Sequence, residues 1–387
     1  MNNKIKIAYL CQFSPEDRRA SSGTNYKIAE QLSAFADVTW IPIKRRRLLG
    51  KYLSPIVKLI GKLFGKNVRL DDTPLGSWLL FKSIDSKVFE KFDCVAAFFC
   101  LHTVYYLSTK TPIIYFTDAS IESLIDYYPE YSHFTKTNKV IMRNLEERAL
   151  KKVDYCVVSS EWASKNLQNL GVSQESIRTI EYGANIDEKD IVRPLKRDYK
   201  GPLNVLFLGV HWARKGGDIA VEAVKWLNEN GVSATLHIIG IKRLKKEIKD
   251  LPYVEYHGFL NKNEKEQYCK LIEILKKSHI LLLPTKAECA GIAFAEASAN
   301  GIPSFTFDTG GISNYVKNGV NGYRLPLGST GVEFGIRIKK SIDENELEQL
   351  SQNAIREYEE TLNWNRWGRK TEQFLNTILH SNRKNKS

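Results

Sequence analysis

The stretch ILLLPTKAECAGIAFAEASANGIPSFTF, residues 280–307, decides how the chain is built. Residues 280–283 are a continuous apolar run stopped by Pro284, the pattern of a strand buried on both faces. Residues 285–290 then read as a loop off the carboxyl end of that strand. Gly291 opens a helix that continues through Ala293, Phe294 and Ala297, and residues 304–307 form a second apolar strand. A strand, a crossover helix and a second strand in this order imply a parallel sheet. Two carboxylates stand in this otherwise small and apolar segment, Glu288 in the loop and Glu296 in the helix, with seven residues between them.

The same alternation runs outward in both directions. On the amino-terminal side, residues 205–208, 236–239 and 254–256 read as strands, and residues 218–230 as a helix stopped by Gly231. Further upstream, strand-like runs stand at 5–11, 38–41, 94–99, 113–116 and 155–159, with a helical pattern at 25–35. The polar, proline-bearing segment 190–202 separates the two series and reads as a linker. The 387 residues exceed one ordinary core. The expectation is α/β throughout: two Rossmann-like domains with parallel sheets facing a central cleft. Residues 1–189 would form the first and 203–364 the second. Residues 365–387 would be a helix packing back on the first domain, with a basic tail.

The free N–H groups of the helix that Gly291 opens suit an anion, and small residues there admit a close approach. Carboxylates on either side could hold hydroxyls, so the spacing suits a nucleotide-sugar. A helix start with one dipole-paired and one solvated glutamate also fits it. A second cluster lies after another strand of the same domain. FLGVHWARKGGDIAVEA, residues 207–223, runs from strand through Gly209 to Arg214 and Lys215, then two glycines and a helix. Two cations between a strand end and a helix start make a diphosphate clamp, a planar fork beside a point charge. Such a pair can also be a solvated turn.

Taken together, these residues resemble the retaining glycosyltransferases of GT-B architecture, the group called family four. ECAGIAFAE resembles their E-x7-E motif and RKGG their basic phosphate turn. DTGGISNYVKNGVNGYRLP, residues 308–326, resembles their glycine-rich turn with the helix and strand that follow. HGFLNKNE, residues 257–264, resembles the turn beneath the nucleotide base and nominates Phe259. The resemblance implies a retaining, metal-independent hexosyl transfer from a nucleotide-sugar, a UDP-sugar by the group's common usage. The acceptor would be a glycan or lipid-linked molecule in cell-surface polysaccharide or glycolipid synthesis. It implies that Glu296 holds the ribose and Glu288 the donor sugar. Arg214 and Lys215 would meet the leaving diphosphate, with backbone at Gly209, Gly291, Ile292 and Ala293 close to it. Gly23 would approach it from the first domain. Departures stand at Val210, where many relatives have arginine; at Ser22, where many have a first glycine; and at Asn314, where many have glutamate. At Thr117-Asp118 many have histidine near the donor sugar, which nominates Asp118.

Rival readings are a non-catalytic acceptor-binding partner of the same fold, a nucleotide-sugar epimerase and a nicotinamide oxidoreductase. No G-x-G-x-x-G follows a strand, which argues against the last. The histidines are dispersed in sequence and no C-x-x-C occurs, so neither a metal nor any other cofactor is expected. Six scattered cysteines read as reduced core residues. No run approaches the ~18 apolar residues of a membrane span. The N-terminus lacks the apolar core of a signal peptide, so a cytoplasmic protein is expected.

The net charge of +13 asks for an anionic partner. Residues 44–69 carry nine Lys and Arg, among them Arg45, Arg46, Arg47, Lys58, Lys62 and Lys66, and no acid. Residues 54–66 read as a helix with Ser54 as N-cap and Pro55 at its first position. It has an apolar face and lysines opposite at every fourth residue, the pattern of a segment lying on the anionic cytoplasmic face of a membrane. An ordinary surface helix packed on the first domain fits it too. Nucleic acid is not expected, because the patch lacks interleaved aromatics.

Overall fold

The computed structural model describes residues 4–18, 20–43, 47–63, 67, 69, 73–81, 84–191, 193 and 197–384. Two compact units are formed, Met1–Ile180 with Gly368–Ser387, and Glu181–Trp367. Segment 181–202 groups with the second unit, and the final helix, Trp364–Lys384, returns to the first at Gly368. There Phe374 packs edge-on to Tyr155 at 5.6 Å.

The first unit holds β1 (Ile5–Cys11), β2 (Ala36–Pro42), β3 (Cys94–Phe98), β4 (Ile113–Thr117), β5 (Tyr155–Val158) and β6 (Ile177–Thr179). Their order is β2-β1-β3-β4-β5-β6, with every neighbouring pair parallel. The second unit holds β7 (Leu203–Leu208), β8 (Ala234–Ile239), β9 (Val254–Gly258), β10 (Ile280–Leu283), β11 (Ser304–Phe307) and β12 (Gly322–Leu325). Their order is β12-β11-β10-β7-β8-β9, again all parallel. The chain reverses its direction of winding between β1 and β3 in one unit and between β7 and β10 in the other. Loops leaving the carboxyl ends of strands at such a point form the ligand crevice of open α/β sheets.

The central strands are buried on both faces, Leu281, Leu282 and Leu283 entirely so. Five cysteines are buried and Cys269 is exposed; none is paired with another. Burial pushes the thiols of Cys11, Cys94 and Cys156 up to about 12, so they behave as small apolar groups.

Two expectations need correction. The basic helix does not begin at Ser54: it runs Arg47–Leu63 with Pro55 inside it. A proline lacks only its own N–H bond and strains one turn; the apolar periodicity on both sides carries the helix through. Its residues Tyr52, Ile56, Leu59, Ile60 and Leu63 are all at least half exposed, so that face is not packed on the unit beneath. Arg45, Arg46 and Lys66 lie outside the described residues, as do the side chains of Arg47, Lys58 and Lys62. Among the described residues no helix is long and apolar enough to cross a membrane. The second correction concerns the histidines, which are dispersed only in sequence. Parallel pairing of β8 with β9 sets His237 opposite Glu255, and a register shift at Ile238/Ile239 brings His257 to the same place. The His237 and His257 rings lie parallel with nitrogens 3.2 Å apart.

Candidate active site

In the second unit, the loops after β7 and β10 flank the reversal point and are bonded to each other. After β7, Gly209 donates its N–H to Ile239 O at 3.0 Å. The chain then winds one tight turn, with Lys215 N donating to His211 O at 2.9 Å and Gly217 N to Trp212 O at 3.0 Å. Lys215 folds back over Gly209, where a Cβ would stand 2.9 Å from Lys215 Cγ. Gly216, at φ +73°, sits against Pro284 O, 2.1 Å from where its Cβ would be. Both glycines are thus required by close approach.

The β10 loop is anchored from two sides. Lys286 N donates to Arg214 O at 2.8 Å, and Gly311 N, from the glycine-rich turn, donates to Glu288 O at 3.0 Å. This brings Glu288 onto the basic turn. Lys215 Nζ forms a short ion pair with Glu288 Oε2, and Arg214 Nη1 lies 3.8 Å from the same oxygen. Arg214 Nη1 also donates to Ala287 O at 2.6 Å. All three side chains are about nine-tenths buried. Burial holds the Lys215 ammonium below its ordinary pKa; Glu288 opposes that shift and Arg214 adds to it. A cation so stripped of water exerts a stronger field on a nearby anion than a solvated one.

Gly291 precedes the helix Ile292–Ala299 and offers its first turn no side-chain cap. The first N–H groups of a helix have no acceptor within it, and Ile292 and Ala293 are only half-buried. Gly291 has a reason beyond ligand approach: a Cβ there would meet the Tyr315 ring at 2.4 Å. Tyr315 Oη in turn accepts from Tyr182 N at 3.0 Å.

Glu296 is buried in that helix and forms a short ion pair with Lys262 Nζ. Lys262 also donates to Asn185 O at 3.2 Å, and Trp364 Nε1 donates to Asn185 Oδ1 at 3.0 Å. Sequence reasoning passed over Lys262. The signal was present: a carboxylate surrounded by Ala and Phe needs a cation, and Lys262 lies in the turn after β9. Phe259, in the same turn, is 40% exposed, with Lys242 Nζ 5.2 Å from its ring centroid.

Two nominated residues belong to the first unit. Gly23, at φ +95°, is the N-cap of the helix Thr24–Phe35 after β1, and Ser21 and Ser22 before it also take positive φ. Asp118 is half-buried in the loop after β4. That loop is pinned by Glu146, whose carboxylate accepts from Ile121 N at 2.6 Å and Glu122 N at 2.9 Å. Burial pushes Glu146 up to about 7 against those two bonds.

The arrangement in the second unit therefore presents two buried cation–carboxylate pairs and an uncapped helix start. Residues 188–357 match the family described as "Glycosyl transferases group 1". The putative colanic acid biosynthesis glycosyltransferase WcaL of Escherichia coli K12 is 25% identical over 221 residues, 54% of this chain and 49% of WcaL. The amylovoran biosynthesis glycosyltransferase AmsK of Erwinia amylovora is 26% identical over 197 residues, 48% of this chain and 46% of AmsK. The matches span about half the length of these curated relatives. Among solved structures, Anabaena HepE in complex with UDP and glucose superposes with a TM-score of 0.65 at 16% identity, covering 96% of this chain and all of HepE. Residues 188–357 are thus similar to the glycosyl transferases group 1 family, and the chain that carries them has the GT-B fold.

Proposed function

We propose that the chain is a retaining glycosyltransferase that moves a hexose from a UDP-sugar to a glycan or lipid-linked acceptor in surface polysaccharide synthesis. One observation carries this reading. Arg214, Lys215 and Glu288 converge at the carboxyl ends of β7 and β10, on the strand side of an uncapped helix start. The second unit takes the donor and the first takes the acceptor, with Gly23 and Asp118 on its strand-end loops.

The bond from the anomeric carbon to the β-phosphate oxygen breaks, and its electron pair stays on that oxygen. Lys215, Arg214 and the amides of Ile292 and Ala293 meet the growing negative charge in a dry, prearranged setting. The protein's own cations take the role a divalent metal plays elsewhere. Glu288 orients the sugar hydroxyls, and Glu296 the ribose. Phe259 lies under the base. The acceptor oxygen bonds to the anomeric carbon from the face the phosphate leaves, and its proton passes to the departing phosphate oxygen. The names of WcaL and AmsK, and the UDP in the HepE complex, support the substrate class.

The test is turnover with a panel of UDP-hexoses and product analysis by proton NMR. The expected product keeps the donor's anomeric configuration. An inverted product overturns the mechanism.

We further propose that the chain binds peripherally to an anionic membrane surface. The exposed apolar stripe of the helix Arg47–Leu63 stands in a sequence with nine cations and no acid over residues 44–69. Apolar insertion plus roughly 1 kcal/mol per basic residue near an anionic surface gives peripheral binding. Wild type is expected to co-sediment with vesicles containing anionic lipid and not with neutral ones. The Lys58→Glu, Lys62→Glu, Lys66→Glu triple variant should lose most of that binding. Equal, negligible sedimentation in every case removes the membrane claim.

A further inference from the structure

We propose that His237, Glu255 and His257 form a binding site for a divalent transition metal, Zn²⁺ by its chemistry, on β8 and the edge strand β9. The ligand atoms converge. His237 Nδ1 lies 3.2 Å from Glu255 Oε2 and 3.2 Å from His257 Nε2, and His257 Nε2 lies 3.8 Å from Glu255 Oε2. Ligands about 2.0–2.1 Å from a tetrahedral zinc stand roughly 3.3 Å apart, so the triangle is already of the right size.

Hydrogen bonding fixes which atoms face inward. Asn204 Nδ2 donates to Lys277 O at 3.1 Å, which orients the amide so that Oδ1 faces His237 Nε2 at 3.2 Å. A carbonyl oxygen only accepts, so His237 carries its proton on Nε2. A neutral ring then turns the lone pair of Nδ1 toward a carboxylate oxygen and a second imidazole. With the His257 proton on Nδ1, three lone pairs converge on one point, an arrangement that a cation stabilises. An imidazole anchored through its other nitrogen is also how metal-bound histidines are usually held. Two imidazoles and one carboxylate suit zinc, with the fourth position left to water. Both histidine side chains are about 86% buried, while Glu255 is 59% exposed, so the site opens to solvent on the Glu255 side.

The fold places this deliberately shaped triangle through the β8–β9 register shift, which inserts His257 as the unpaired residue of the bulge. The metal would staple the edge strand just before Gly258 and the turn that carries Phe259 and Lys262. It stands apart from the cation cluster after β7 and is a bracing element rather than part of the transfer chemistry.

The test uses the full chain without an affinity tag, stripped with EDTA and titrated with Zn²⁺ alone. Calorimetry should give one Zn²⁺ per chain with Kd of about 1 µM or tighter, and added Zn²⁺ should raise Tm. His237→Gln/His257→Gln should weaken binding at least about 100-fold and abolish the Tm rise, whereas His380→Gln, on an exposed histidine, should change neither. If the double variant does not fold by circular dichroism, Glu255→Gln carries the test, with an expected loss of about tenfold. Absence of one-to-one binding in wild type overturns the site. So does an affinity unchanged in the folded variant, or one equally reduced by His380→Gln.

Discussion

Lys215→Ala should lower kcat by about 100- to 1000-fold while KM for the donor changes little. The Lys215 ammonium is buried, held on Glu288 and backed by Arg214. On the proposed mechanism it would face an oxygen that gains charge as the glycosidic bond breaks, so its contribution would rise toward the transition state. Lys215→Arg should restore little, because the side chain crosses directly over Gly209, where even a methyl group would stand 2.9 Å from it. A guanidinium has no room on that path. The fold should survive either change, since Arg214 still faces Glu288; matched melting curves check this. Steady-state kinetics with an unchanged kcat for Lys215→Ala would remove the clamp assignment.

Gly291→Ala is expected to destabilise the chain by about 2–3 kcal/mol and to lower Tm by several degrees. An alanine normally gains stability by restricting the unfolded chain, so the sign of the effect is diagnostic. Here the new methyl would meet the Tyr315 ring at 2.4 Å, and that ring is fixed by its hydrogen bond from Tyr182. The start of the helix Ile292–Ala299 must then shift, and donor binding should weaken with it. In a Tyr315→Leu background the same substitution should cost less than half as much, which a double-mutant cycle by thermal or denaturant unfolding measures. A neutral or stabilising Gly291→Ala would show that Gly291 is not set by this contact.

Gly291 also shows what the sequence could and could not convey. Its small size was legible as a place of close approach, but not what approaches; Tyr315 lies 24 residues on and reaches it only through the fold. The strands were legible wherever they are fully buried, since a continuous apolar run has few other readings. Thus β10 and β11 have the bounds their sequence suggests, whereas β6, with the sequence IRT at a sheet edge, carries no pattern to read. That Glu288, Arg214 and Lys215 come together was legible, because each follows an apolar strand within one or two turns. For Glu296 the need for a cation was legible, but not that Lys262 supplies it, because the two lie 34 residues apart. The helix Arg47–Leu63 was shortened by reading Pro55 as a start signal, when proline only favours that position. The His237, Glu255 and His257 triangle depends on strand register, a property of pairing rather than of either strand alone.

The central claim is that the second unit holds a uridine nucleotide through Glu296, the cations after β7 and the helix start after β10. Titration calorimetry with UDP, on wild type and Glu296→Gln, tests it most directly; the isosteric amide keeps the shape of the buried side chain and removes its charge. The account predicts one UDP per chain, bound more tightly than GDP, ADP or NAD, and weakened about tenfold or more by Glu296→Gln. No binding of UDP to the folded wild type, or an affinity that Glu296→Gln leaves unchanged, would contradict it.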